Sequence, residues 1–180
     1  MRKYFVFITL LFGFTSMCAQ HISFMGIQLG QSEKNIESQL LKKGFQYVGR
    51  NNVMYTKMYE GKFWKFENTR LNTIVEDGKV TAISLCPSPR IYNQIPDYTN
   101  LVFSLDKKYG KHHVVSRSSK SPELAVNQDF FWIVAGGAIV TNYAQNEITG
   151  DIIICIDYYD KTNSQMILGA GRNRDTDNDL

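Results

Sequence analysis

Between residues 98 and 109 the apolar side chains fall at Tyr98, Leu101, Val102, Leu105 and Tyr109. That i, i+3, i+4, i+7, i+11 spacing lays one stripe along one face of an α-helix. It predicts a helix over residues 97–109, with Asp97 at the positive end of the dipole and Gly110 as a left-handed stop. A shorter pattern predicts a first helix over residues 32–43, capped by Ser32, carrying Ile36 and Leu40, and ended by Gly44. Strand-like segments follow each helix. After the first come residues 53–59, a turn at Glu60-Gly61-Lys62, and residues 63–68; then 69–76 and 79–86 are joined by Asp77-Gly78, a two-residue hairpin signal. After the second come residues 114–117, a polar loop over 118–127, and residues 130–134. Gly136-Gly137 then turns the chain into 138–143, and 151–159 completes the series.

The punctuation repeats. Gly44 and Gly110 end the two helices 66 residues apart, and Gly78 and Gly150 stand 72 apart. Equivalent breaks at similar spacing predict an α+β fold of two tandem repeats, each a helix followed by an antiparallel meander. The first repeat covers residues 21–90 and the second 91–168, with the prolines at 87, 89 and 96 marking the connection. Residues 169–180 form a polar, flexible tail.

Residues 1–20 read as a secretory signal peptide: Arg2 and Lys3, an apolar run from Tyr4 to Phe14, then small and polar residues to Gln20. The run is shorter than the roughly 20 apolar residues that span a bilayer. The expected location is periplasmic or secreted. Lipid anchoring through Cys18 is the less favoured alternative, because Met17 stands where lipid processing wants a small residue. Export changes the charge picture. Taking Arg2 and Lys3 from 20 basic residues leaves 18 against 17 acids, a balance of +1 in place of +3. With no basic stripe, nucleic acid is not an expected partner. Beyond residue 20, Cys86 and Cys155 are the remaining cysteines, and an oxidising compartment is compatible with a disulfide between them. Two buried free thiols are the competing expectation.

The candidates for chemistry are weak. His112 and His113 are adjacent, so on a strand they point to opposite faces and cannot chelate one ion; a solvated strand start is expected there. Asp175, Asp177 and Asp179 open like a calcium loop but lack its glycine and closing glutamate. No nucleophile elbow or phosphate-cradling glycine loop is present, and no carboxylate pair stands out. No catalytic residue, metal or cofactor is assigned, and the protein is expected not to be an enzyme.

The aromatic content, 13%, is concentrated in the strands. Tyr55 and Tyr59 share one strand face, Trp64 and Phe66 share another, and Phe131 and Trp132 put bulk on both faces of theirs. A sheet covered by helices on one side needs one apolar face, so these six residues are candidates for an exposed binding face. The expected function is an exported, non-enzymatic binding module that recognises an envelope or extracellular protein, or another ligand, through an aromatic-rich sheet face. The alternatives are a structural or assembly factor of the cell envelope and a small hydrolase.

Three stretches carry a resemblance: Leu105-Asp-Lys-Lys-Tyr-Gly110, Glu76-Asp-Gly-Lys-Val80, and Ile156-Asp-Tyr-Tyr-Asp160 followed by Asn163. Together they resemble a family of uncharacterised exported proteins from Gram-negative gut bacteria, over residues 24–165. The helix-then-meander order is similar to the tandem-repeat fold of the β-lactamase inhibitor protein. That resemblance implies helices packed on one sheet face and a concave, aromatic-rich face that grips a partner. No inhibitor contact residue has a counterpart here, and two cysteines allow fewer disulfides than the inhibitor carries.

Overall fold

The computed structural model describes residues 21–51, 56–87, 94–115, 124–146 and 152–163. The signal segment with Cys18, Tyr55, the three aspartates near the C-terminus and the tail lie outside the described residues. The chain opens with a hairpin, β1 (Ser23–Phe24) and β2 (Ile27–Gln28), before helix α1 (Glu33–Lys42). Four strands follow: β3 (Gln46–Asn51), β4 (Thr56–Phe63), β5 (Phe66–Glu76) and β6 (Lys79–Pro87). Helix α2 (Gln94–Tyr109) leads to β7 (His113–Val115), β8 (Leu124–Val134), β9 (Gly137–Asn146) and β10 (Ile152–Asp160).

All strands after β2 join one antiparallel sheet in the order β3-β4-β5-β6-β10-β9-β8-β7. This overturns the expected α+β fold of two helix-plus-meander repeats: the described residues are mostly β, 58% strand, with two helices, one eight-stranded sheet and the small two-stranded hairpin. The physical reason lies at β6 and β10. In separate meanders each would be an edge strand with a row of unpaired N–H and C=O groups. Instead they pair antiparallel, setting Ile156 against Leu85 and Tyr158 against Ile83, so both backbone edges are satisfied and their apolar side chains share one face.

Local punctuation is as the glycines suggest. Asp77 and Gly78 both take positive φ, 49° and 72°, the geometry of a tight two-residue hairpin turn. Gly110 directly after α2, and Gly44 one residue further past the end of α1, both stand at φ 91°. Several other expectations fail. β8 begins at Leu124, inside the stretch expected to be a loop, and the turn expected at Gly136-Gly137 falls at Ala135-Gly136, with Gly137 already in β9. Ser32 makes no side-chain capping bond, so α1 is held by its buried Ile36 and Leu40 instead. The turn expected at residues 60–62 falls at Trp64-Lys65, because Gly61 is needed inside β4, where the ring of Phe45 lies 2.7 Å from the position a Cβ would take.

Strand partners define the two faces. The row Tyr47, Tyr59, Leu71, Leu85, Ile156, Thr141, Phe130 crosses the sheet on the side of the helices. There it meets Ile36 and Leu40 of α1, Leu101 and Leu105 of α2, and Phe24, Ile27 and Leu29 around the N-terminal hairpin in one buried cluster. Tyr98 of α2 hydrogen-bonds Thr141 of β9 at 3.1 Å. Lys57 of β4 donates to Glu37 at 2.6 Å and lies 3.6 Å from Glu33, pinning α1. The hydrogen bond to Glu37 outweighs burial and raises the Lys57 pKa. The hairpin is tied in through backbone bonds Gly30 N–H to Val80 and Val80 N–H to Gln31. His21 Nδ1 adds a contact to the fully buried Asp160 at 2.9 Å.

Tyr59 is fully buried, and its hydroxyl has no hydrogen-bond partner among the described residues. Burial, reinforced by the Glu37 and Glu33 charges, pushes its ionisation well above the usual phenol range. A buried hydroxyl without a partner costs stability. Tyr59→Phe is therefore expected to leave the urea unfolding free energy unchanged or raise it by up to about 1 kcal/mol. A loss of that size instead would mean the hydroxyl is partnered.

Candidate functional site

The face away from the helices is built from the alternate residues of the same strands. One row runs Glu60, Arg70, Cys86, Cys155, Asn142, Asp129. The next runs Met58, Asn72, Ser84, Asp157, Val140, Phe131, His113, and a third holds Ile74, Ala82, Tyr159, Ala138, Ile133. None of these side chains belongs to the buried cluster under the helices. Asp129, Val140, Ala82 and Ala138 are buried, Met58, Asn72, Ser84, Asp157, Phe131 and Tyr159 are half-buried, and Ile133 and Ile153 are exposed, at 68% and 40%. Polar groups thus lie along the centre, with apolar side chains towards β8. The Tyr159 hydroxyl reaches Asp157 at 3.4 Å.

Cys86 and Cys155 meet at the middle of this face, on the two strands that join the halves. Their Sγ atoms are 3.5 Å apart as free thiols. The hydrogen bond from Cys155 holds the Cys86 thiol below its ordinary range, against burial. The same bond, with burial added, pushes Cys155 far above it.

The six aromatic candidates do not converge. Tyr59 and Trp132 are core residues on the helix side, and Phe66 is buried in the same cluster. Trp64 sits at the β4–β5 turn with φ 54°, half-buried against the core, with the Lys65 ammonium 4.9 Å from its ring. Phe131 alone of the described five stands on the helix-free face. Two-sided bulk at residues 130–132 has a simpler origin than a binding face: Phe130 packs towards the core and Trp132 fills it. Tyr159, which the sequence pattern did not single out, lies on the open face because its parity along β10 matches that of Asp157.

His112 also departs from expectation. It is not a solvated strand start. Its Nδ1 lies 2.9 Å from Asp106 Oδ1, its ring packs 4.5 Å from Phe130, and Trp132 Nε1 donates to the same Asp106 oxygen at 3.0 Å. Burial would raise the Asp106 pKa, but the bonds from His112 and Trp132 and the His112 charge hold it below the usual carboxylate range. The arrangement ties α2 to β8 and is shielded by aromatic rings. It is a structural clasp.

Among the described residues, no group of three or more His, Cys, Asp or Glu side chains is placed to hold a metal ion. Nor is any helix there long and apolar enough to cross a membrane. Searches against protein-family models, curated proteins and solved structures find no match to this chain.

Proposed function

We propose that the protein is an exported, non-enzymatic binding module, and that its ligand-binding surface is the helix-free face of the sheet. The observation that carries this reading is the composition of that face. Phe131, Ile133 and Tyr159 lie beside Ser84, Asn72 and Asp157 on one eight-stranded sheet. Apolar anchors next to a few fixed polar groups suit a recognition surface. Export rests on residues 2–20, whose basic start, short apolar run and small-residue end fit a cleaved leader.

The test compares the full chain with a Phe131→Ser, Ile133→Glu double variant as bait in envelope extract. Neither side chain is part of the buried cluster under the helices, so the variant is expected to melt within a few degrees of the wild type. Species enriched by the wild type are expected to fall about tenfold or more with the variant, the loss that follows when a central anchor worth about 1–2 kcal/mol is removed. Equal recovery by a folded variant would remove this face from the binding surface.

A further inference from the structure

We propose that Cys86 and Cys155 form a thiol–disulfide exchange site, which takes a disulfide of a small molecule or another protein as substrate and closes into an intramolecular disulfide across the seam of the sheet. This goes beyond the binding reading and does not depend on it. The register sets Asp157 against Ser84 and Ile156 against Leu85, so Cys155 falls opposite Cys86. Residues directly opposite on antiparallel strands have Cα atoms about 4.5–5.5 Å apart, inside the roughly 4.4–6.8 Å that a disulfide requires. The sulfurs already lie at 3.5 Å and need to close to about 2.05 Å, a shift that side-chain rotation supplies.

Position makes the pair reachable. Both cysteines keep part of their surface exposed, on the face that no described helix covers, and that exposed part is where an incoming disulfide meets them. The register also distinguishes the two sulfurs. The hydrogen bond from Cys155 favours a thiolate at Cys86, and Arg70, opposite Cys86 on β5, adds to it, while burial and the Asp157 charge oppose it. At Cys155 the hydrogen bond with Cys86, burial and the charges of Asp157 and Asp129 all favour the protonated thiol. Cys86 is the attacking sulfur and Cys155 the resolving one.

The chemistry balances as follows. The Cys86 thiolate attacks one sulfur of R–S–S–R, forming a mixed disulfide, and R–S⁻ leaves with the electron pair and takes up a proton. Cys155 then gives its proton to solvent and attacks Cys86 Sγ. The second R–S⁻ departs and is protonated. Two protein thiols are oxidised to one disulfide, and the substrate is reduced to two R–SH. The new bond spans 69 residues and covalently joins β6 to β10, the contact that makes one sheet of two strand runs.

The experiment uses the full chain carrying Cys18→Ser, equilibrated with glutathione and its disulfide at graded ratios. Mass spectrometry is expected to show loss of two hydrogens, a linked Cys86–Cys155 peptide and no lasting glutathione adduct. The melting temperature should rise by roughly 5–10 °C on oxidation and return with dithiothreitol. Cys155→Ser should trap glutathione on Cys86, whereas Cys86→Ser should react about tenfold more slowly. Thiols that stay alkylatable in excess glutathione disulfide, or a persistent adduct on the two-thiol protein, would overturn the site. Faster reaction at Cys155 than at Cys86 would overturn the assigned order of attack.

Discussion

Trp132→Ala is expected to lower the unfolding free energy by about 4–6 kcal/mol, the largest loss from any single truncation on β8. The indole is 1% exposed, and it is among the largest fully buried side chains. Truncating a buried Trp costs about 3–5 kcal/mol in lost burial and cavity formation. Its Nε1–H also satisfies Asp106, so about 1 kcal/mol more is lost with that bond. Against a total stability of about 5–15 kcal/mol for a domain, this leaves a marginal fold. Trp132→Phe separates the two contributions and should cost about 1–2 kcal/mol in urea unfolding. It should also change the acid limb. Asp106 has a depressed folded pKa, so its stabilisation is present above the unfolded carboxylate value and is lost as pH falls through the folded one. Without the indole donor the folded value rises, so the stabilisation is smaller and its loss is complete at a higher pH. Near-equal stability of Trp132→Ala and wild type would remove Trp132 from the core. Loss of binding by a Trp132→Ala variant would accordingly report unfolding, not a lost contact.

Gly137→Ala is the second large effect, with an expected cost of about 3–5 kcal/mol. A Cβ at Gly137 would stand 2.0 Å from the Tyr159 carbonyl oxygen and 3.2 Å from Ile22 Cβ. The oxygen belongs to the backbone of β10, which is paired on both sides, through Ala138 on β9 and Ala82 on β6. It has nowhere to retreat without breaking a ladder. Gly78 provides the comparison. It has φ 72° but open space around its missing Cβ, so Gly78→Ala meets only the left-handed backbone penalty of about 1 kcal/mol. Equal losses for the two variants in parallel denaturation curves would show that backbone conformation, and not the close approach of β10, governs Gly137.

What could be read along the chain follows from how far each signal reaches. The helical stripe ending at Tyr109 and the Asp77-Gly78 turn were legible because each depends on neighbours within a few residues. The N-terminal hairpin was not. Its turn, Met25 and Gly26 at φ 49° and 80°, joins two-residue strands, and Phe24 and Ile27 are buried only because the rest of the core receives them. The site fared similarly. Cys86 and Cys155 were visible as a compatible pair, but their 3.5 Å approach depends on a pairing 69 residues apart in sequence. The aromatic strands were misleading because alternation assigns residues to two faces without saying which face the helices cover. Tyr59 and Trp132 turned out to face the helices, and Phe131 to face away.

The sequence by itself determined the approximate positions of the two helices and the hairpin turn at Asp77-Gly78, since helix periodicity and turn chemistry are local. Only the tertiary structure decided that β6 and β10 pair, that one sheet forms where two repeats were expected, and that the two thiols meet on its open face. Those outcomes depend on satisfying two exposed strand edges against each other and on burying one face under both helices, and neither is encoded within any single segment.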